Sequence, residues 1–269
     1  MTPQQKSLKI LVVGDVCLDE TVHVHQTRTN PENNSPLYTE LYTTIKHGMA
    51  SNVVAGLREL GFENVVFKKP GYPYSVKKRI VCDNNMVMRL DNDQVCEPCW
   101  FTDLDFSEFD CVVISDYNKG FVTDKTIEEI CKNFFGRGPV FLDTKKSDLN
   151  RYNGCIVKIN QQECLNATSL PDNYLIVTQG ASGATYKGYS YPALVVDCVD
   201  VCGAGDSFLA GMVWAWSHNP ARYSPSPYMI NAGICNASLS VEHPGCYNPS
   251  FEQLENAIKR YYDQADRNR

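Results

Sequence analysis

The sequence holds 269 residues, 43% of them hydrophobic, enough for one large α/β domain with a sizeable core. Its 25 basic and 31 acidic residues leave a net charge of −6, so no overall field holds a polyanion and no nucleic-acid partner is expected. No apolar run approaches the roughly 20 residues that a membrane span needs, so no membrane partner is expected either.

In chain order, "LKILVVGD" (8–15) reads as a buried strand ending in polar residues. Residues 19–47 alternate polar and apolar side chains and suit antiparallel strands, and "SNVVAGLRELG" (51–61) has a helical period. Residues 74–91 alternate again, with "DNN" as a hairpin turn, and pair with 19–47 in a small antiparallel sheet that projects as a lid. Four more buried strands follow: "CVVISD" (111–116), "PVFLDTK" (139–145), "GCIVKIN" (154–160) and "YLIVTQG" (174–180), with an amphipathic helix over 123–138 between the first two. The chain then turns helical from "CGAGDSFLAGMVWAWSHNP" onward, and a terminal amphipathic helix starts at Ser250 after Pro249.

Strand and helix in alternation predict an α/β fold with a mostly parallel sheet covered on both faces. Sites in such sheets lie beyond the carboxyl ends of the strands, where Asp15, Asp116, Asp143, Asn160 and Thr178 fall. The twelve cysteines sit largely in apolar runs, as Cys111 and Cys155 do, and no secretory signal is present. Reduced thiols in a cytoplasmic protein are expected. Cys96 and Cys99 have zinc-ligand spacing, but no second CxxC or HxxxH accompanies them.

The stretch "DVCGAGDSFLAGMVWAW" (200–216) raises a sharper question. Gly203 and Gly205 permit a tight turn with open amides, and the following helix directs its positive end to the same place, making an anion hole. Asp206 in the first turn suits a catalyst, and equally a residue that favours a helix N-terminus.

The string D-x-x-G-A-G-D-x-F over Asp200–Phe208 resembles the signature of the ribokinase (PfkB) family of carbohydrate kinases. The resemblance implies a ribokinase-like three-layer α/β/α fold with a small β lid. It makes Asp206 the base that takes the proton of the acceptor hydroxyl, and the amides of Gly203, Ala204 and Gly205 the stabilisers of the transferring phosphoryl group. "RTNP", "VKKRIVCDNNMVMRLD", "SDYNKG", "DTKKSDLNRYNG", "KINQQE" and "VTQGASGATY" are similar, in order, to the heptose-7-phosphate kinase branch of that family, across nearly the whole chain. By that resemblance Asp15 and Asp19 bind sugar hydroxyls, and Gly48 and Asn52 lie at the sugar. Asn160 and Glu163 organise Mg²⁺ through water, Thr178 and Gly180 meet the phosphates of ATP, and the need for a monovalent cation stays open. Asp15 and Asn160 also suit turns after strands, Glu163 a solvated helix residue and Gly48 a helix start.

The pattern departs from the family in four places. "HGM" (47–49) stands for the usual PGG, bringing the bulk of Met49 near the sugar. Only "KKPGYP" separates "ENVVF" from "YSVKKR", where relatives carry another helix and strand. The segment "NAGICNASLSVEHPG" yields no adenine ligand, and without H-x-G-H no nucleotidyltransferase domain is expected, so 1–269 is taken as a single kinase domain.

Lys77, Lys78, Arg79, Arg89, Lys119 and Lys145 converge near the sugar if the family layout holds, which favours an already phosphorylated acceptor. Lys77, Arg79 and Lys119 are the expected phosphate ligands. The expected activity is ATP-dependent phosphorylation of the 1-hydroxyl of a heptose 7-phosphate. A ribokinase-fold kinase for another sugar or nucleoside, or a non-catalytic sugar- or nucleotide-binding member, remain as alternatives. The exposed lid edges and the missing layer predict a homodimer.

Overall fold

A computed structural model describes residues 3–101, 104–221 and 223–267. After a short helix α1 (Pro3–Ser7), the apolar run of β1 (Lys9–Gly14) is buried on both faces, as a central parallel strand requires. The chain then leaves the sheet for two long strands, β2 (Val16–Thr29) and β3 (Pro36–Met49), and returns through helix α2 (Ala50–Glu59) to β4 (Asn64–Lys68). A second excursion forms β5 (Ser75–Cys82) and β6 (Asn85–Asn92), joined by a tight turn at Asp83 and Asn84, both at positive φ (49° and 64°).

From there strand and helix alternate: β7 (Cys111–Asp116), α3 (Asp124–Phe134), β8 (Val140–Thr144), β9 (Ile156–Asn160), α4 (Gln161–Asn166) and β10 (Leu175–Thr178). A hairpin of β11 (Ala184–Tyr186) and β12 (Tyr189–Tyr191) and the helices α5 (Ala204–Trp216), α6 (Pro227–Ser240) and α7 (Phe251–Arg267) complete the chain.

The main sheet has the order β12-β11-β10-β9-β8-β7-β1-β4, with β4 through β10 parallel and the β11–β12 hairpin antiparallel at one edge. Alternate residues of β1 feed two separate cores. Ile10 and Val12 pack with Val53, Leu57 and Trp214 on one face, and Leu11 and Val13 with Ile127, Ile130 and Phe134 on the other. The helix α5 is buried from Asp206 to Trp216, which explains its nearly unbroken apolar sequence. α3 starts at a reciprocal capping box between Thr123 and Thr126.

The four-stranded second sheet has the order β3-β2-β5-β6. The sequence led us to expect an antiparallel lid, but β2 and β5 pair in parallel, Leu18 opposite Val76, so the lid is mixed. The cause is connectivity: each of the two hairpins enters the lid from the same end of the main sheet, so their first strands run the same way. The short 69–74 connection takes the chain from β4 straight to the lid, leaving β4 as the edge of the main sheet. Neither β4 nor the β11–β12 hairpin was foreseen.

Candidate active site

The carboxyl ends of β1, β7, β8, β9 and β10 face the N-terminus of α5, with the lid strands rising beside them. The sequence builds the centre from Asp206. It lies in the first turn of α5, is 3% exposed, and accepts hydrogen bonds from Asn52 Nδ2 (3.1 Å) and the Tyr117 hydroxyl (3.0 Å). Burial, and then the Asp143 carboxylate, push its pKa up to about 6, against the opposing pull of the Asn52 bond, Lys158 and the Tyr117 bond. A carboxylate so poised is charged at neutral pH yet basic enough to take a proton.

Gly203 precedes the helix in the left-handed conformation (φ 76°). The Ala204 amide donates to the Val201 carbonyl at 3.2 Å, so it is engaged within the turn. Beneath Gly205 lies Lys158, 3% exposed and paired with the buried Asp143 at 2.5 Å; a Cβ at Gly205 would stand 2.9 Å from the ammonium. Glycine there lets the helix end rest on the buried ion pair.

Asp15, just beyond β1, is fully buried, and its Oδ2 accepts from the Tyr117 and Lys119 amides at 2.8 and 3.3 Å. Its Oδ1 has no partner among the described residues, and burial together with Asp116 raises its pKa to about 6. An orphaned carboxylate oxygen at a strand end is an acceptor held ready for a hydroxyl donor. Asp19 is tied to Arg79 at 2.7 Å, across β2 and β5. Gly48 makes this possible, because a Cβ there would fall 2.1 Å from Asp19 Oδ2 and 2.7 Å from Cys17 Sγ. Its neighbour Met49 holds φ 59° and ψ −132°, a backbone state natural to glycine, and its side chain is buried, 2% exposed.

The expected basic residues divide by partner. Lys119 pairs with Asp93 at 2.6 Å, Arg79 with Asp19, and Lys145 with Glu163. Lys77 forms no ion pair among the described residues, and its ammonium lies 5.6 Å from the centre of the Tyr117 ring, which Lys145 also approaches at 5.4 Å. Asn160 and Glu163 cap α4 reciprocally: Asn160 Oδ1 accepts from the Glu163 amide, and Glu163 Oε2 accepts from the Asn160 amide, both at 2.8 Å.

Thr178 and Gly180 line a slot of about 380 Å³ that reaches Gly205 and is walled by Val196, Ile234 and Ser238. The slot is mainly apolar, as a nucleobase site is, and its walls come from loop and α6 residues that sequence reasoning did not assign. Tyr117 was missed too, although it sits inside "SDYNKG", and so was Lys158. A lysine in the otherwise apolar "CIVKI" was the available signal for the latter.

The chain matches the model of the pfkB family carbohydrate kinases over residues 157–253. It is similar to the bifunctional protein HldE of Campylobacter jejuni (strain RM1221), 24% identical over 98% of this chain and 68% of the relative. Overall it spans about two thirds of the length of the curated relatives it matches. Its fold is similar to ribokinase from Thermotoga maritima (TM-score 0.67, 17% identity, 94% of this chain and 99% of that one). It is likewise similar to Arabidopsis thaliana ribokinase complexed with ribose and ATP (TM-score 0.68, 14% identity, 94% and 99%).

Proposed function

We propose that the chain is a carbohydrate kinase that phosphorylates a sugar phosphate of the heptose 7-phosphate type at its 1-hydroxyl, with ATP as donor; the ribokinase-like fold and the match to the pfkB family carbohydrate kinases over residues 157–253 support this reading. The observation that carries the catalytic part is Asp206, buried at the head of α5 and held by Asn52 and Tyr117. The acceptor hydroxyl gives its proton to Asp206, the freed oxygen attacks the γ-phosphorus, and ADP leaves toward the slot at Thr178 and Gly180. The turn at Gly203–Gly205 and the helix end stabilise the charge that gathers on the transferring group. Asp15, with its unpartnered oxygen, and Asp19 orient the sugar.

Magnesium fits the donor set at Asn160 and Glu163 only through water. Both supply oxygen, but their atoms are spent on each other and on Lys145, and no cluster of three metal-binding side chains exists among the described residues. When bound, the ion draws charge from the transferring phosphoryl group. Glu163→Gln raises the Mg²⁺ concentration for half-maximal activity severalfold, because it weakens the charge while keeping the shape. An unmoved Mg²⁺ titration removes Glu163 from this role.

The charge of the acceptor decides between the sugar-phosphate reading and a neutral sugar or nucleoside. Turnover of ATP on a panel of neutral and phosphorylated sugars tests it, and no turnover on any member supports a binding protein instead. Lys77, which forms no ion pair among the described residues, is the expected phosphate ligand least committed elsewhere. Lys77→Ala lowers kcat/KM for the phosphorylated sugar about ten- to a hundredfold more than for the neutral one, the scale of a charged hydrogen bond. Arg79→Ala impairs both, since it unties Asp19. Equal losses on both acceptors for Lys77→Ala eliminate it as a phosphate ligand.

A homodimer through the lid accompanies this proposal. β3 and β6, the edge strands of the lid among the described residues, expose Leu41, Ile45, Met86 and Met88, each more than half accessible. Light scattering at micromolar concentration gives the mass of two chains, and Ile45→Lys shifts it toward one. A single-chain mass for the unaltered protein rules the dimer out.

A further inference from the structure

Cys202 and Cys246 meet beside the candidate active site with their sulfurs 3.0 Å apart, although 44 positions separate them. The meeting is built by Asp200. Its Oδ1 accepts from the Cys202 amide at 2.9 Å and its Oδ2 from the Gly245 amide at 2.8 Å, so one carboxylate clamps both loops. Glycine adjoins each cysteine in the left-handed conformation, Gly203 at φ 76° and Gly245 at φ 71°. A Cβ at Gly203 would stand 3.1 Å from Cys246 Sγ, so any side chain there crowds the thiols. Both cysteines are partly exposed, and the Arg79 guanidinium lies 3.9 Å from Cys202 Sγ.

We propose that Cys202 and Cys246 form an oxidant-sensitive dithiol, joined into a disulfide by hydrogen peroxide, and that the bond disables the site. The Cys202 thiolate attacks the peroxide, giving a sulfenic acid and releasing hydroxide. The Cys246 thiol then attacks that sulfur and water leaves, so two thiols lose two hydrogens and one peroxide becomes two waters. The partners are unequal, as such chemistry needs. The Cys246 thiol beside it and then Arg79 draw Cys202 below the ordinary thiol range, while Cys246 is pushed far above it, first by Cys202 and then by burial.

Bond formation draws the sulfurs from 3.0 Å to about 2.05 Å. Cys246 Sγ now accepts from Asn52 Nδ2 at 3.3 Å, and that same nitrogen holds Asp206. Cys202 adjoins Gly203, so the movement reaches the phosphoryl-binding turn and the base together. Nothing in this inference requires the heptose assignment.

Hydrogen peroxide is added to the fully reduced protein, and proteolytic peptides are mapped by mass spectrometry without reduction. The expected product is a peptide pair joined through Cys202 and Cys246, two hydrogens lighter and separated by dithiothreitol. Asp200→Ala slows its formation about tenfold or more, because the loops lose their clamp. Cys131 and Cys155, whose sulfurs are 2.9 Å apart but remote from Asp206, give the control: Cys131→Ser/Cys155→Ser still forms the 202–246 link. On whichever panel sugar is accepted, turnover falls at least about tenfold on linking and returns with dithiothreitol. A peroxide-treated protein with no 202–246 link, or a linked protein of undiminished turnover, overturns the proposal. The link is scored by mass, so it is decided separately from the kinase assignment.

Discussion

Asp206→Asn gives a more stable protein with turnover lowered about a hundredfold or more. The two effects share one origin. Burial and Asp143 hold the aspartate's pKa at about 6 instead of 3.8. In the folded state the group therefore keeps a proton that the unfolded chain has released between about pH 4 and 6. Across that window its contribution to stability falls as pH rises, and above pH 6 the folded protein bears the whole cost of a buried charge, on the order of 3 kcal/mol. Asparagine removes that cost while still accepting from Asn52 and donating to Tyr117, so thermal unfolding at pH 7 shifts upward by roughly 1–3 kcal/mol, with little gain at pH 4. In the unaltered enzyme kcat/KM falls below about pH 6, a limb that reports Asp206 and Asp15 together, since both titrate there. Near-normal turnover in the asparagine variant takes Asp206 out of the chemistry.

Lys158→Met is the most damaging change expected for the fold. Its ammonium neutralises Asp143 inside the protein, where the two side chains are 4% and 6% exposed, and Asp143 Oδ1 has no partner among the described residues. Methionine preserves the volume but leaves the carboxylate buried and unpaired, at a cost of about 3–5 kcal/mol. Adding Asp143→Asn recovers most of the loss, since no lone charge then remains. The acid limb of activity separates this from simple unfolding. Lys158 lowers the Asp206 pKa and Asp143 raises it, so Lys158→Met moves the limb to higher pH and Asp143→Asn moves it to lower pH. A loss of stability below about 1 kcal/mol in Lys158→Met shows that water or a neighbouring group already satisfies Asp143.

The central ladder was legible because each parallel strand is a run of buried β-branched residues bounded by polar ones, as "CVVIS" and "CIVKI" show. The β11–β12 hairpin was not, because its strands are three residues long and carry no period to detect. Lid direction was hidden for another reason. Alternation tells which face a residue takes, while the parallel pairing of β2 with β5 depends on where the chain re-enters the sheet. At the site, Asp15, Asn52 and Asp206 were picked out by motif order; the structure joins Asp15 and Asp206 through Tyr117, and Asn52 to Asp206. The Tyr117 hydroxyl on Asp206 joins residues 89 apart, and the Lys158–Asp143 pair depends on β8 lying next to β9. Such contacts follow from strand order, which no single motif encodes.

That strand order also dictates a timetable for folding. β7, β8, β9 and β10 each pair with the next strand in the chain, so this part of the sheet grows by local steps. β1 lies between β4 and β7, and its register with β7, Ile10 opposite Cys111, closes a loop of about 100 residues. While the chain is being synthesised, Ile10–Val13 emerges with β4 as its one available neighbour, and its other edge stays open until β7 has been made. The most apolar strand near the N-terminus thus waits through about 100 residues of synthesis for its second neighbour, and it is a segment a chaperone has reason to cover.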